Sequence, residues 1–212
     1  MRPAVLLVAL LALSGCATYN IPPRSEVDTE RTEVIEGSMG VVIGQIVVED
    51  EGGLRAHVGE GVPDPVYREF LATTLPGELT RQSTLASAFV GEAEGFEPAL
   101  QAEPEAGARL VVDGRTPDWV LILRTVTLLR AKYSNGAMFP AMPGTAGGGS
   151  ESRAVRNDVE IVLWDNHSGE VVARGEVESE ETYLFAPSRG TYVAAVGEFV
   201  EKLIENVPLR ER

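Results

Sequence analysis

Basic residues, histidine, aromatic rings and cysteine are all scarce in this chain, and each shortage removes a class of function. Lys and Arg total 18 against 32 Asp and Glu over 212 residues, a net charge of −14 at pH 7. Such a surface repels phosphate backbones, and no basic stripe interrupts it, which excludes nucleic-acid binding. The only cysteine, Cys16, cannot close an intrachain disulfide or build a thiolate metal site alone. The two histidines, His57 and His167, have no second histidine or cysteine three or four residues away. No metal and no cofactor is expected on that basis. Nucleotide and serine-hydrolase frames are missing too. Gly144–Gly149 is not followed by Lys-Ser/Thr, and Ser150 lacks the G-x-S-x-G frame. Beyond Leu13 there is no further long apolar run, so no spanning helix is expected in the body.

What is present begins at the amino terminus. Arg2 precedes an almost unbroken apolar run from Ala4 to Leu13, and small residues lead into Cys16. This is the layout of a secretory signal peptide, too short to span a bilayer. Residues 17–37 hold Pro22-Pro23 and a mixed-charge run with no apolar period, which reads as a flexible tether.

Order is expected from Met39. Val41–Ile43 and Ile46–Val48 form a β-branched strand ending at the Glu49–Gly53 turn signal. Asp64-Pro65 opens a helix whose stripe is Val66, Tyr67, Phe70, Leu71 and Leu75. Pro76-Gly77 should end or kink that helix. Leu85–Val90 reads as a short strand, and residues 91–117, broken by Pro98, Pro104 and Pro117, as loop. Trp119–Lys132 is a strand with Val120, Ile122, Val126 and Leu128 on one face and Leu121, Leu123 and Leu129 on the other. Two alternating runs, through Val155–Leu163 and Val171–Val177, flank the turn formers Asp165–Gly169 and read as a hairpin. Tyr192, Val196, Phe199, Val200, Leu203 and Val207 recur at helical spacing before Pro208. The fold class is therefore α+β, two amphipathic helices on a mostly antiparallel sheet, preceded by the tether.

Leu13-Ser14-Gly15-Cys16 resembles the lipobox of bacterial lipoproteins. The resemblance implies cleavage after Gly15 and lipidation of Cys16 with diacylglycerol and a further acyl chain such as palmitate. Ala17, in place of the aspartate that retains such proteins at the inner membrane, implies the periplasmic leaflet of the outer membrane. The body resembles the periplasmic α+β domain of curli-secretion, Tol amino-terminal and penicillin-binding-protein-activator lipoproteins. The likeness rests on the Val159–Gly175 hairpin and the Pro117–Val120 lead into a long strand. These families are scaffolds and adaptors, so the resemblance implies binding and carries over no catalytic residue. The domain plan is then 1–15 signal peptide, 16–38 lipidated cysteine and tether, and 39–209 one periplasmic domain with a Gly-rich insertion at 134–150.

The insertion is the candidate partner-binding element. Its length exceeds an ordinary strand connection, and Met138, Phe139 and Met142 are adaptable apolar groups. They either enter a partner's groove or fold back on the sheet. Glu176, Glu178 and Glu180 share a strand face, and a solvated face is favoured there over acid–base chemistry or calcium. The expected function is a lipid-anchored envelope adaptor for a protein partner, without enzymatic activity. The alternatives are an oligomeric structural subunit of a secretion or pore-like complex and, last, an envelope hydrolase.

Overall fold

The computed structural model describes residues 25–29, 34–50, 64–135, 150–184 and 187–209. In chain order the elements are β1 (Ser25–Thr29), β2 (Gly37–Asp50), α1 (Asp64–Gln82), β3 (Leu85–Val90), β4 (Trp119–Asn135), β5 (Ser150–Asp165), β6 (Glu170–Tyr183) and α2 (Arg189–Asn206). The strands form one six-stranded sheet in the order β1-β6-β5-β4-β2-β3. From β1 to β4 the neighbours are antiparallel, whereas β2 pairs parallel with both β4 and β3. The class is α+β as expected, with the parallel pairs making the sheet mixed. β2, β3, β4 and β6 consequently run the same way, and each helix follows one of them, so both helices start at one end of the sheet.

Both helices pack on one face because each carries a single apolar stripe. Tyr67, Leu71, Leu75 and Leu79 of α1 recur every fourth residue, and all are buried. Tyr192, Val196, Phe199, Val200 and Leu203 of α2 are buried likewise. Ser188 caps α2 through a capping box: its hydroxyl accepts from Thr191 N at 3.3 Å, and its own N–H donates to Thr191 Oγ1 at 3.1 Å. Pro76 does not end α1, which runs on to Gln82. Leu75 and Leu79, both wholly buried, hold the helix on the sheet across the missing hydrogen bond.

β4 corrects the expected division of its faces. Val120 and Ile122 point away from the helices, while Leu121, Leu123, Val126 and Leu128 all point toward them. A bulge between Leu123 and Thr125 inserts one residue against β5 and reverses the alternation from there on. Residues 91–117 are irregular, as expected, but they form the cover over the second face. Phe96, Leu110 and Val112 close over Val42, Val120, Ile122, Val162 and Trp164.

The expected tether is corrected at three places. Residues 25–29 pair with β6 from Ser25↔Val177 to Thr29↔Ala173, adding an edge strand. Ile35 is wholly buried, donates its N–H to Pro208 O at 2.8 Å, and bridges Leu209. Mixed charge disguised this segment, because one isoleucine and one strand edge suffice to dock it. Gly37 and Ser38, also expected in the tether, open β2, and tether residues 16–24 and 30–33 lie outside the described ones.

Candidate functional site

The two ends of the sheet are built differently. At the carboxyl ends of β2, β4 and β6, pairing of β4 with β2 stops at Arg130↔Asp50, and pairing of β5 with β6 stops at Arg153↔Tyr183. β4 and β5 continue together to Asn135↔Ser150, so their last pairs form a two-stranded arm past the body of the sheet. The Gly-rich insertion joins the strands of this arm. Ser134, Asn135 and Ser150, expected in the insertion, are strand residues. Met138, Phe139 and Met142 lie outside the described residues, as do Cys16 and His57.

The opposite end gathers Ser38, Asp118, Asn166 and His167. Asp118 Oδ2 accepts from the amide and the hydroxyl of Ser38, each at 2.7 Å, and Oδ1 lies 3.0 Å from His167 Nε2. The Ser38 amide, then its hydroxyl, and His167 hold the Asp118 carboxyl below its ordinary value of 3.8, against a smaller desolvation effect. Serine, aspartate and histidine meet here in the wrong order for nucleophilic catalysis. The Ser38 hydroxyl donates to the carboxylate rather than to the imidazole, which is not the Ser–His–Asp order of a hydrolase triad. Gly37, at φ +97°, makes the approach possible, since a Cβ there would lie 2.5 Å from Asp118 Oδ2.

Asn166 is the residue that sequence reasoning missed. Its Oδ1 accepts from Leu110 N at 2.6 Å, and its Nδ2 donates to Leu110 O at 2.9 Å and Pro117 O at 2.8 Å. The β5–β6 turn is thereby fastened to the cover loop. Asp165 Oδ1 closes the turn by accepting from His167 N at 2.8 Å and Ser168 N at 3.2 Å. Gly169 stands at φ +68°, where a Cβ would strike the Gly107 backbone at 2.4 Å. The only sequence signal was an Asx-rich turn, which says nothing of a loop whose fastened residues lie 49 and 56 positions away.

The acidic face of β6 is a charge ladder. Glu178 pairs with Arg156 at 2.8 Å, Arg156 also meets Asp158 at 2.6 Å, and Arg174 meets Glu103 at 2.9 Å. Arg124 pairs with Glu160 beside them. The Glu180 amide donates to Glu198 Oε2 of α2 at 2.7 Å. Among the described residues no group of three His, Cys, Asp or Glu is arranged to hold a metal ion. The ladder interleaves arginines with carboxylates, and its Asp158 and Glu178 side chains are 18% and 19% exposed.

A groove of about 830 Å³ opens between α1 and the start of the cover loop, with Arg68, Phe96 and Leu100 among its walls. Arg68 closes its inner end by donating to the carbonyls of Ile43, at 2.7 Å, and Gly44. Leu100 stands 78% exposed on the rim. Among the described residues, no helix is long and apolar enough to cross a membrane.

No protein-family model matches the sequence, and no curated protein matches it. Among solved structures, the chain is similar to the PelC dodecamer from Paraburkholderia phytofirmans at 14% identity and TM-score 0.36, covering 87% of this chain and 98% of that one. It is similar to the hypothetical protein CT253 from Chlamydia trachomatis at 10% identity and TM-score 0.38, over 79% and 96% of the two chains. It is also similar to lipoprotein GNA1162 from Neisseria meningitidis at 13% identity and TM-score 0.31, over 78% and 98%. These likenesses are distant ones of fold, and no residue role is carried over from them.

Proposed function

We propose that the chain is a lipid-anchored adaptor of the bacterial cell envelope, held at the periplasmic leaflet of the outer membrane and binding a protein partner without catalysis. The observation that carries the reading is Leu13-Ser14-Gly15-Cys16 directly after a short apolar leader. A single acyl chain binds a membrane only marginally, so the diacylglycerol and added acyl group expected on Cys16 are what make the attachment lasting. The docking of β1 sets the reach. Ser25 is nine residues on from Cys16, a span of at most about 32 Å at full extension. The body is thus held close to the membrane, and Met138, Phe139 and Met142, in the segment that joins β4 to β5, are the proposed partner-binding element.

The test has two arms. Cys16→Ser should abolish lipid labelling and release the protein from the membrane fraction. Replacing Met138, Phe139 and Met142 together by serine should leave melting unchanged while envelope cross-linking to the partner falls sharply. Labelling that survives the first change, or cross-linking that survives the second, overturns the corresponding half of the reading.

One observation favours a second reading, an oligomeric structural subunit. The outer edge of β3 has no strand partner among the described residues, and Ala86 and Ser87 on it are exposed. Unpaired edges of this kind take up a further strand. A sizing measurement on the Cys16→Ser protein separates a monomeric adaptor from a ring.

A further inference from the structure

The groove beside α1 stands where the connections of the sheet part. β2 leads into α1, which packs on one face, and β3 leads into residues 91–117, which cross the other face to reach β4. Pairing of β3 stops at Val90↔Val41, while β2 runs on against β4 to Asp50. When neighbouring parallel strands send their connections to opposite faces, a crevice opens at their carboxyl ends, and open sheets take up ligands there. The groove of about 830 Å³ occupies this crevice. Val42 and Ile43 of β2, Val90 of β3 and Ala72 of α1 line it on one side, and residues 91–101 line it on the other.

The outer wall is fixed in place. Phe96 is buried against Val42 and Val120, and Pro98 is buried beside it. The amides of Leu100 and Gln101 both donate to Glu97 O at 3.0 Å, a turn that leaves Leu100 78% exposed on the rim. A lone exposed leucine is ordinary on a protein surface, but this one borders a groove with other apolar groups in its lining. Ordering it against a ligand requires no folding of the wall.

Charge selects the occupant. Residues 91–108 hold five glutamates and no lysine or arginine. Glu92 and Glu97 line the groove and are exposed. Arg68, the basic residue of the lining, is turned onto the carbonyls of Ile43 and Gly44 at the inner end, so the mouth is acidic. An apolar centre with a charged rim is the plan of a protein-binding surface, and the sign of the rim sets which partners are admitted.

We propose that this groove is a docking site for an extended segment of a partner protein that presents apolar side chains flanked by lysine or arginine. The apolar side chains lie between Ala72 and Leu100, and the basic ones meet Glu92 and Glu97. The site requires neither the Gly-rich insertion nor lipidation of Cys16.

The experiment uses the full-length chain carrying Cys16→Ser, so that the protein stays in solution. A short, end-blocked, fluorescently labelled peptide alternating leucine and lysine is titrated with it and followed by anisotropy. Serine–lysine and leucine–glutamate peptides are run beside it. The leucine–lysine peptide should bind saturably, and the other two at least about tenfold more weakly. Leu100→Ser changes an exposed side chain, so it should leave melting unchanged while weakening the leucine–lysine peptide by about tenfold. Glu92→Gln with Glu97→Gln should weaken it several-fold and flatten its dependence on salt. Glu201→Gln with Glu205→Gln removes two exposed carboxylates of α2 and should leave binding as it was. If the serine–lysine peptide binds as well as the leucine–lysine one, or the α2 pair weakens binding as much as the groove pair, the attraction is general and the site is refuted. Absence of binding refutes it too, and is the result expected if residues 51–63 fill the groove. A dimer on sizing that Leu100→Ser dissociates assigns the groove to a second copy of the chain and overturns the proposal.

Discussion

Replacing Asn166 by alanine is the sharpest test of how the cover loop is held. The side chain is 2% exposed and makes three hydrogen bonds, two to the backbone of Leu110 and one to Pro117 O. Alanine leaves the Leu110 amide and two carbonyls without partners in a region where Leu110 is 4% exposed. A buried amide left unsatisfied costs roughly 1–3 kcal/mol, and a carbonyl with a spare lone pair costs less, giving a total of about 3–5 kcal/mol. With a urea slope of roughly 2.5 kcal/mol/M, the midpoint should fall by about 1–2 M at unchanged slope. Asn166→Asp should be at least as damaging, because it keeps the acceptor for Leu110 N but sets a carboxylate against two carbonyls. Trp164 reports the same event locally. It is 2% exposed under the cover, and its Nε1 donates to Ala108 O at 3.3 Å. Loosening of the loop should therefore red-shift its emission before global unfolding. A loss below about 1 kcal/mol, with the Leu110 amide still protected from exchange, would refute the assignment of Asn166 as the fastener.

Two further outcomes follow from the docked amino-terminal segment and from Asp118. A chain starting at Met39 should be markedly less stable than one starting at Ser25, and Ile35→Ala alone should cost roughly 2–5 kcal/mol in urea, since Ile35 is wholly buried. Equal midpoints for the two starts would show that β1 and Ile35 contribute nothing. Asp118 has its folded value held below 3.8, so its contribution is complete above the unfolded value and disappears as pH falls through the lower, folded one. Asp118→Asn should therefore destabilise at pH 7 and make little difference near pH 2, read as the difference in midpoint between the two proteins across that range. A penalty that stays constant with pH would mean that packing, rather than the ionised carboxylate, is what the substitution removes.

The sequence by itself determined the local elements. Fourfold spacing from Tyr67 to Leu79 makes one apolar stripe whatever lies beneath it, and the stripe from Tyr192 to Leu203 does the same for α2. Alternation on either side of Asp165–Gly169 set the hairpin and its turn, and Trp119 onward was recognisable as a strand buried on both faces. The lipobox-like residues that carry the functional reading are also purely local. The tertiary structure alone decided the rest, because it depends on partners distant in the chain. Parallel pairing of β2 with β4 and β3, docking of residues 25–29, and placement of Asn166 against Leu110 join segments whose own composition does not name each other. The bulge after Leu123 reverses a face with one residue, a change that no periodicity within β4 reveals. Arg130 is the clearest case. In sequence it is one basic residue near the end of a strand, and only the packing of the helices on that face of the sheet leaves it 2% exposed.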